Sequence, residues 1–290
     1  MSIGIKGEIV SFKSKSGYIC KGILYSSSDN QTTVIHVHGS YGNFYDNFFI
    51  QQMALAYDKE NINLLAFNLQ THGGFSDGFI GDKYCYVGGA ISSFETSIDD
   101  IDGAIDYVAS FSDKIVLQGH SLGTDKILYY LIKSGKRYPI ILISPCDSYA
   151  LQEKWIAPET VEHQTVRIKN LPEQEITWLN LREYGIKCGD EEYYIPITKK
   201  AFLSLVDGFN FNYTRIEKEC KKYYLNTHAF IYIGGKDAFQ TSTVSKVRKF
   251  FIQRISNPYL SYHECGDHDM QGAIDKVISE IIQWFHKILI

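Results

Sequence analysis

Neither sign of charge dominates this sequence: 29 Lys and Arg stand against 33 Asp and Glu, a formal net charge of -4. That balance gives no electrostatic case for nucleic acid binding. No stretch approaches the roughly 20 apolar residues that a membrane-spanning helix needs. The first residues, Met1 to Glu8, carry no apolar run of the kind found in a signal peptide. The six cysteines (Cys20, Cys85, Cys146, Cys188, Cys220 and Cys265) include no Cys-x-x-Cys pair. Their scatter points to reduced thiols and a cytoplasmic setting. Internal repeats and low-complexity tracts are lacking. Proline is scarce, at 6 residues, whereas Tyr and Phe number 21 and 17. That contrast suggests a well-packed protein with aromatic surface to spare for a binding cleft.

What is present is an alternation of strands and helices in 290 residues, enough to bury a large core. Residues 7–14 and 18–26 read as two strands of a hairpin, joined through Gly17. Thr33 to His38 is nearly all β-branched or His, as in a buried strand. Helical stretches are predicted near 46–60 and through Ile98, Ile101, Ile105 and Val108; a strand covers 63–68. A glycine-rich loop is expected from Thr71 to about Ala90. Later strands are read at 114–118, 139–143, 228–233 and 258–263. The last helix carries Ile274, Val277, Ile278, Ile281, Trp284, Phe285 and Ile288 on one stripe. This rhythm implies a mostly parallel sheet covered on both faces.

One stretch interrupts it. Residues 148–226 are more polar, with no clear continuous strand and helical cues only near Lys199–Asp207 and Tyr213–Tyr224. The expected organisation is therefore a core from 1–147 and 227–290, with 148–226 inserted as a cap over the sheet's carboxyl edge. Its aromatics, among them Trp155, Trp178, Phe202 and Phe209, either line a cleft or form the small core that lets an insertion fold.

Gly119-His120-Ser121-Leu122-Gly123 lies where an apolar strand meets a helix. Gly-x-Ser-x-Gly in that context puts the serine on a strained turn and exposes its hydroxyl. A serine hydroxyl is a weak nucleophile at neutral pH. It needs a base for its proton and donors for the oxyanion that forms. His268, in Cys265-Gly266-Asp267-His268-Asp269, is the candidate base because it follows the last strand; His263 falls inside the strand pattern. Asp237, in Gly234-Gly235-Lys236-Asp237, is the candidate acid, although Gly and Asp also make ordinary turns. Asp147, after Pro145 and Cys146, is the rival acid; its structural alternative is a helix N-cap. The candidate oxyanion donors are the backbone N–H groups of Ser40 and Leu122, the latter at a helix start. His36 and His38 share one strand face at a spacing some metal hydrolases use, but those sites need further His and Asp ligands at later strand ends of a barrel, and the strand count and inserted segment fit a barrel poorly. The expectation is a site with neither metal nor cofactor.

These segments together resemble the α/β-hydrolase superfamily. The matching pieces are His38-Gly39, Asn68 to Ser76, Gly119 to Gly123, Gly234 to Asp237 and Gly266 to His268. The second piece departs from the family's usual loop at Asn68 and Thr71. The resemblance spans the chain from about Gly7 onward, apart from the insertion, and implies the chain order Ser121, Asp237, His268. Its expected activity is hydrolysis of a small-molecule carboxylic ester through an acyl-enzyme. Acyl transfer or amide cleavage by the same triad is the alternative, and a non-catalytic binding protein a further one. Residues 38–45, 119–130 and 144–147 are similar to a microbial branch that includes siderophore esterases. That narrower likeness implies a bulky natural-product ester or macrocyclic lactone.

Overall fold

The computed structural model describes residues 6–26, 32–156, 159–171, 176–180, 187–188, 191–192, 194–209 and 225–289. β1 (Gly7–Lys13) and β2 (Ile19–Tyr25) form the antiparallel hairpin that the Gly17 turn predicts. β3 (Thr32–Val37), α1 (Phe49–Lys59) and β4 (Ile62–Phe67) follow. β5 (Ser76–Ile80), β6 (Lys83–Val87), α2 (Thr96–Val108), β7 (Lys114–His120), α3 (Leu122–Ser134) and β8 (Ile140–Ile143) come next. Then come α4 (Ser148–Ile156), α5 (Val161–Lys169), β9 (Ile176–Asn180), β10 (Lys187–Cys188), β11 (Glu191–Glu192), β12 (Tyr194–Thr198) and α6 (Lys199–Phe209). The described chain closes with β13 (Leu225–Gly234), α7 (Val244–Arg254), β14 (Ile255–His263) and α8 (Ile274–Ile288).

The main sheet has eight strands in the order β1-β2-β4-β3-β7-β8-β13-β14. From β4 onward its pairings are parallel; only β1–β2 and β2–β4 are antiparallel. Its central strands are buried on both faces, so they read as continuous apolar runs. Alternate residues divide between two cores. Ile35, Leu65, Leu117, Leu142 and Ile231 pack with α2, α3 and α7. Val34, Leu64, Val116, Ile143 and Phe230 pack with α1 and α8. The order reverses at β3, whose neighbours β4 and β7 leave in opposite directions along the sheet. In such a sheet the carboxyl ends beside the reversal form the natural binding crevice.

Two local expectations need correction, and one helix was not read at all. The 71–90 loop contains the β5–β6 hairpin. Phe79, Tyr84 and Tyr86 are exposed there, so no alternation of apolar and polar residues marked it as strand. The 148–226 stretch is richer in structure than its sequence suggested. Helices α4, α5 and α6 frame an antiparallel β9–β12 pair. The helical cue at 199–207 extends to Phe209, while that at 213–224 lies outside the described residues. Finally, α7 carried too thin an apolar stripe to be read: only Val247, Phe250 and Phe251 are buried.

Candidate active site

The chain turns sharply between β7 and α3, and Ser121 occupies the turn at φ 54° and ψ -127°. That is a strained conformation for a residue with a side chain. Several contacts hold it. The Ser121 amide donates to the Ile143 carbonyl at 3.0 Å, and the Ser121 carbonyl accepts from the Thr124 amide and hydroxyl at 2.9 and 2.7 Å. The flanking glycines are required by contact. A Cβ on Gly119 would meet the Gly123 carbonyl carbon at 2.6 Å, and one on Gly123 the Val37 carbonyl oxygen at 2.2 Å. The elbow therefore forms only if helix and strand approach without side chains between them.

Asp237 follows β13 and His268 follows β14, and the sheet brings them together. His268 Nδ1 lies 2.9 and 3.0 Å from the two Asp237 carboxylate oxygens. The Asp237 side chain is fully buried, and that of His268 is 14% exposed. Asp237 Oδ1 also accepts from the Phe239 amide at 2.9 Å, and the Phe239 ring packs against the His268 imidazole at 4.6 Å. Asp147, the rival acid, caps α4: its Oδ1 accepts from the Ala150 amide at 3.0 Å.

The loop carrying His268 is anchored by side chains that the sequence did not single out. The His268 carbonyl accepts from Ser144 Oγ at 2.6 Å and lies 3.0 Å from His120 Nε2. Burial and the nearby His268 ring hold the His120 pKa well below its ordinary value, so His120 is neutral and donates through Nε2–H. Tyr232 Oη donates to the Asp267 carbonyl at 3.1 Å. Only the meeting of β7, β8, β13 and the loop made these roles visible; motif position alone gave His120 none.

Cys146, read from sequence only as a reduced thiol, stands inside the same cluster. Its Sγ is 3.8 Å from His268 Nδ1. Burial pushes its thiol pKa well up, and a hydrogen bond with Ser121 opposes that rise. Among the described residues, Cys146, Asp237 and His268 are the one set whose donor atoms lie close enough to share a metal ion, within 4.8 Å of one another. A metal there would displace the proton that joins His268 to Asp237. His36 and His38 belong to no such set among the described residues. His36 Nδ1 contacts Gln118 Nε2 at 3.0 Å, and both ring nitrogens of His38 are engaged with backbone.

Gly39 and Ser40 follow β3 and run beside the elbow. A Cβ on Gly39 would sit 3.0 Å from Ser121 Cβ and 3.6 Å from Ser121 Oγ. No turn or loop hydrogen bond among the described residues uses the amide of Ser40 or of Leu122. Both residues line a cleft with Tyr41, Phe94, Lys126 and Leu205.

The chain's fold has many counterparts among solved structures. An esterase, Pf2001, from Pyrococcus furiosus is 15% identical, with a TM-score of 0.60 over 98% of this chain and 93% of that one. Est1E from Butyrivibrio proteoclasticus, solved with ferulic acid, is 12% identical, with a TM-score of 0.66 over 97% and 99%. Mouse alpha/beta hydrolase domain-containing protein 10 is 15% identical, with a TM-score of 0.63 over 97% and 99%. At these identities the likeness is one of fold. No curated protein sequence matches the chain. One family model does, "Protein of unknown function (DUF1749)", over residues 18–162, half of the chain. With that match and an eight-stranded sheet of this topology, the chain belongs to the DUF1749 family and has the α/β-hydrolase fold.

Proposed function

We propose that this protein hydrolyses a small-molecule carboxylic ester through Ser121, His268 and Asp237. Ser121 Oγ attacks the acyl carbon while His268 Nε2 accepts its proton. Asp237 holds Nδ1–H, which fixes the tautomer and stabilises the imidazolium. The amides of Ser40 and Leu122 receive the oxyanion. His268 then protonates the departing alkoxide, and a water activated by the same imidazole releases the acyl group.

The observation that supports this reading is the buried Asp237–His268 pair at 2.9 Å, with the His268 ring 4.9 Å from that of His120, the residue before the strained Ser121. The names of the structural neighbours, an esterase and a ferulic acid complex among them, agree with ester chemistry. We read residues 148–226 as a cap that selects the substrate. In support, Leu122 packs against the small core of Tyr149, Val161, Ile168, Ile197 and Phe202. Ala201 and Leu205 of α6 line the cleft that holds Ser40 and Leu122.

Fluorophosphonate labelling tests the nucleophile, in competition with a panel from p-nitrophenyl acetate to macrocyclic lactones. The label is expected on Ser121, and Ser121→Ala is expected to lose turnover by orders of magnitude with its melting temperature kept. Near-normal rates in Ser121→Ala would reject the mechanism. Adding alcohols and amines as competing acceptors separates hydrolysis from acyl transfer by the products formed.

A further inference from the structure

A buried lysine lies under the proposed oxyanion site. Lys126 sits on α3, its residue only 2% exposed. Its ammonium has three acceptors: the His38 carbonyl at 3.3 Å, the Gly39 carbonyl at 3.4 Å and Thr71 Oγ1 at 3.1 Å. Burying an ammonium is costly, and burial pulls its pKa down to about 7 against the opposing pull of Asp100 and Asp125. A cation kept in such a place calls for a reason beyond filling space, since an apolar side chain fills a core position more cheaply.

The reason lies in one peptide plane. The Gly39 carbonyl and the Ser40 amide belong to the same planar trans unit, so they point in opposite directions. Whatever grips the Gly39 oxygen therefore fixes where the Ser40 N–H points. Two groups grip it. His38 Nε2 accepts from the Leu69 amide at 3.2 Å, which leaves Nδ1 as the protonated nitrogen, 3.0 Å from the Gly39 oxygen. Lys126 supplies the second donor, which carries charge whenever its amine is protonated. A charged donor on the carbonyl also polarises the amide across the plane and strengthens it as a donor. That plane passes against the nucleophile, because Gly39 has only 3.0 Å between an added Cβ and Ser121 Cβ.

We propose that Lys126 is a positioning residue for transition-state stabilisation: through the Gly39 carbonyl it aims and polarises the Ser40 amide at the oxyanion. This rests on the ester-hydrolase reading above and adds a residue to it.

The test compares Lys126→Met with the parent protein. Four quantities are measured: kcat and KM for p-nitrophenyl acetate, and inhibition constants for an aryl trifluoromethyl ketone and the matching methyl ketone. The trifluoromethyl ketone adds to the serine as a tetrahedral oxyanion, whereas the methyl ketone reports ground-state binding. Losing one oxyanion donor outright costs about 100- to 1,000-fold, so a misaimed one should cost at least about tenfold in kcat. KM and the methyl ketone should stay within about twofold, and the trifluoromethyl ketone should weaken in step with kcat. A kcat within twofold of the parent, or equal weakening of both ketones, overturns the assignment. Lys126→Gln, which keeps a donor at shorter reach, replaces Lys126→Met if the latter does not fold. Loss of fold in both makes the lysine structural and also overturns the assignment. A parent protein that neither turns over the ester nor takes the fluorophosphonate label refutes the reaction itself. A parent that does both, with an unaffected Lys126→Met, refutes only the role of Lys126.

Discussion

Asp237 reaches His268 across 31 positions of sequence, and its carboxylate bridges Nδ1 with both oxygens at 2.9 and 3.0 Å. The carboxylate is fully buried, so its remaining partners are the few that the loop provides. Removing its charge while keeping its shape should leave the ring in the wrong tautomer. Asp237→Asn is expected to lower kcat by about 1,000- to 10,000-fold, the scale seen when a triad loses its orienting acid. Asp147→Ala should leave kcat within twofold and cost about 1 kcal/mol of stability through the lost cap on α4. Steady-state kinetics and thermal melting on the two variants decide between the carboxylates.

Ser144 gives a subtler case. Its hydroxyl holds the His268 carbonyl at 2.6 Å, and His120 shares that carbonyl. A single hydrogen bond contributes about 0.5–1.5 kcal/mol. Ser144→Ala should therefore slow kcat by about 2- to 12-fold with little change in KM. No change in kcat would show that His120 and Tyr232 hold the loop without it.

At the elbow the expected result is loss of folding, with any loss of rate secondary. An alanine at 123 would press its Cβ to 2.2 Å from the Val37 carbonyl, and backbone cannot rotate aside as a side chain can. Gly123→Ala is expected to destabilise by several kcal/mol, the cost of forced overpacking. Soluble yield and melting temperature are the readouts, and a parent-like melting curve would contradict the contact.

Stability should also depend on pH. Burial lowers the His36 pKa from 6.5 to about 3, and burial likewise holds His38 and His120 well below their ordinary value. Each is neutral in the folded protein and takes up a proton on unfolding below pH 6.5. The unfolded state then binds more protons, so stability rises with pH and is lost as pH falls. For His36 the window runs from about 6.5 down to 3 at about 1.4 kcal/mol per pH unit. Urea unfolding at pH 7, 6 and 5 checks this. A flat profile across that range would mean that these rings are protonated in the fold.

Much of the architecture was legible because its signals are local. Continuous apolar runs marked the buried central strands, and a 3.6-residue stripe marked α8. The elbow announced itself because two backbones that touch leave room for Gly alone at 119 and 123. The β5–β6 hairpin was hidden for the opposite reason. Its aromatics face solvent, so no alternation of buried and exposed residues was written into it.

The sequence by itself determined the menu of chemistry: a serine on a strand-to-helix turn, a late histidine, and two carboxylates at strand ends. It favoured Asp237 but left Asp147 as a rival, since each follows a strand and each sits among turn residues. Strand order decided which carboxylate meets the imidazole. β13 and β14 are parallel neighbours, so the loops after them end side by side, whereas Asp147 turns at once into α4. The same folding brought Ser144, Cys146 and His120 to His268, and Lys126 to the Gly39 carbonyl. These contacts join residues far apart in the chain, and no spacing rule along a sequence encodes a distance across a sheet.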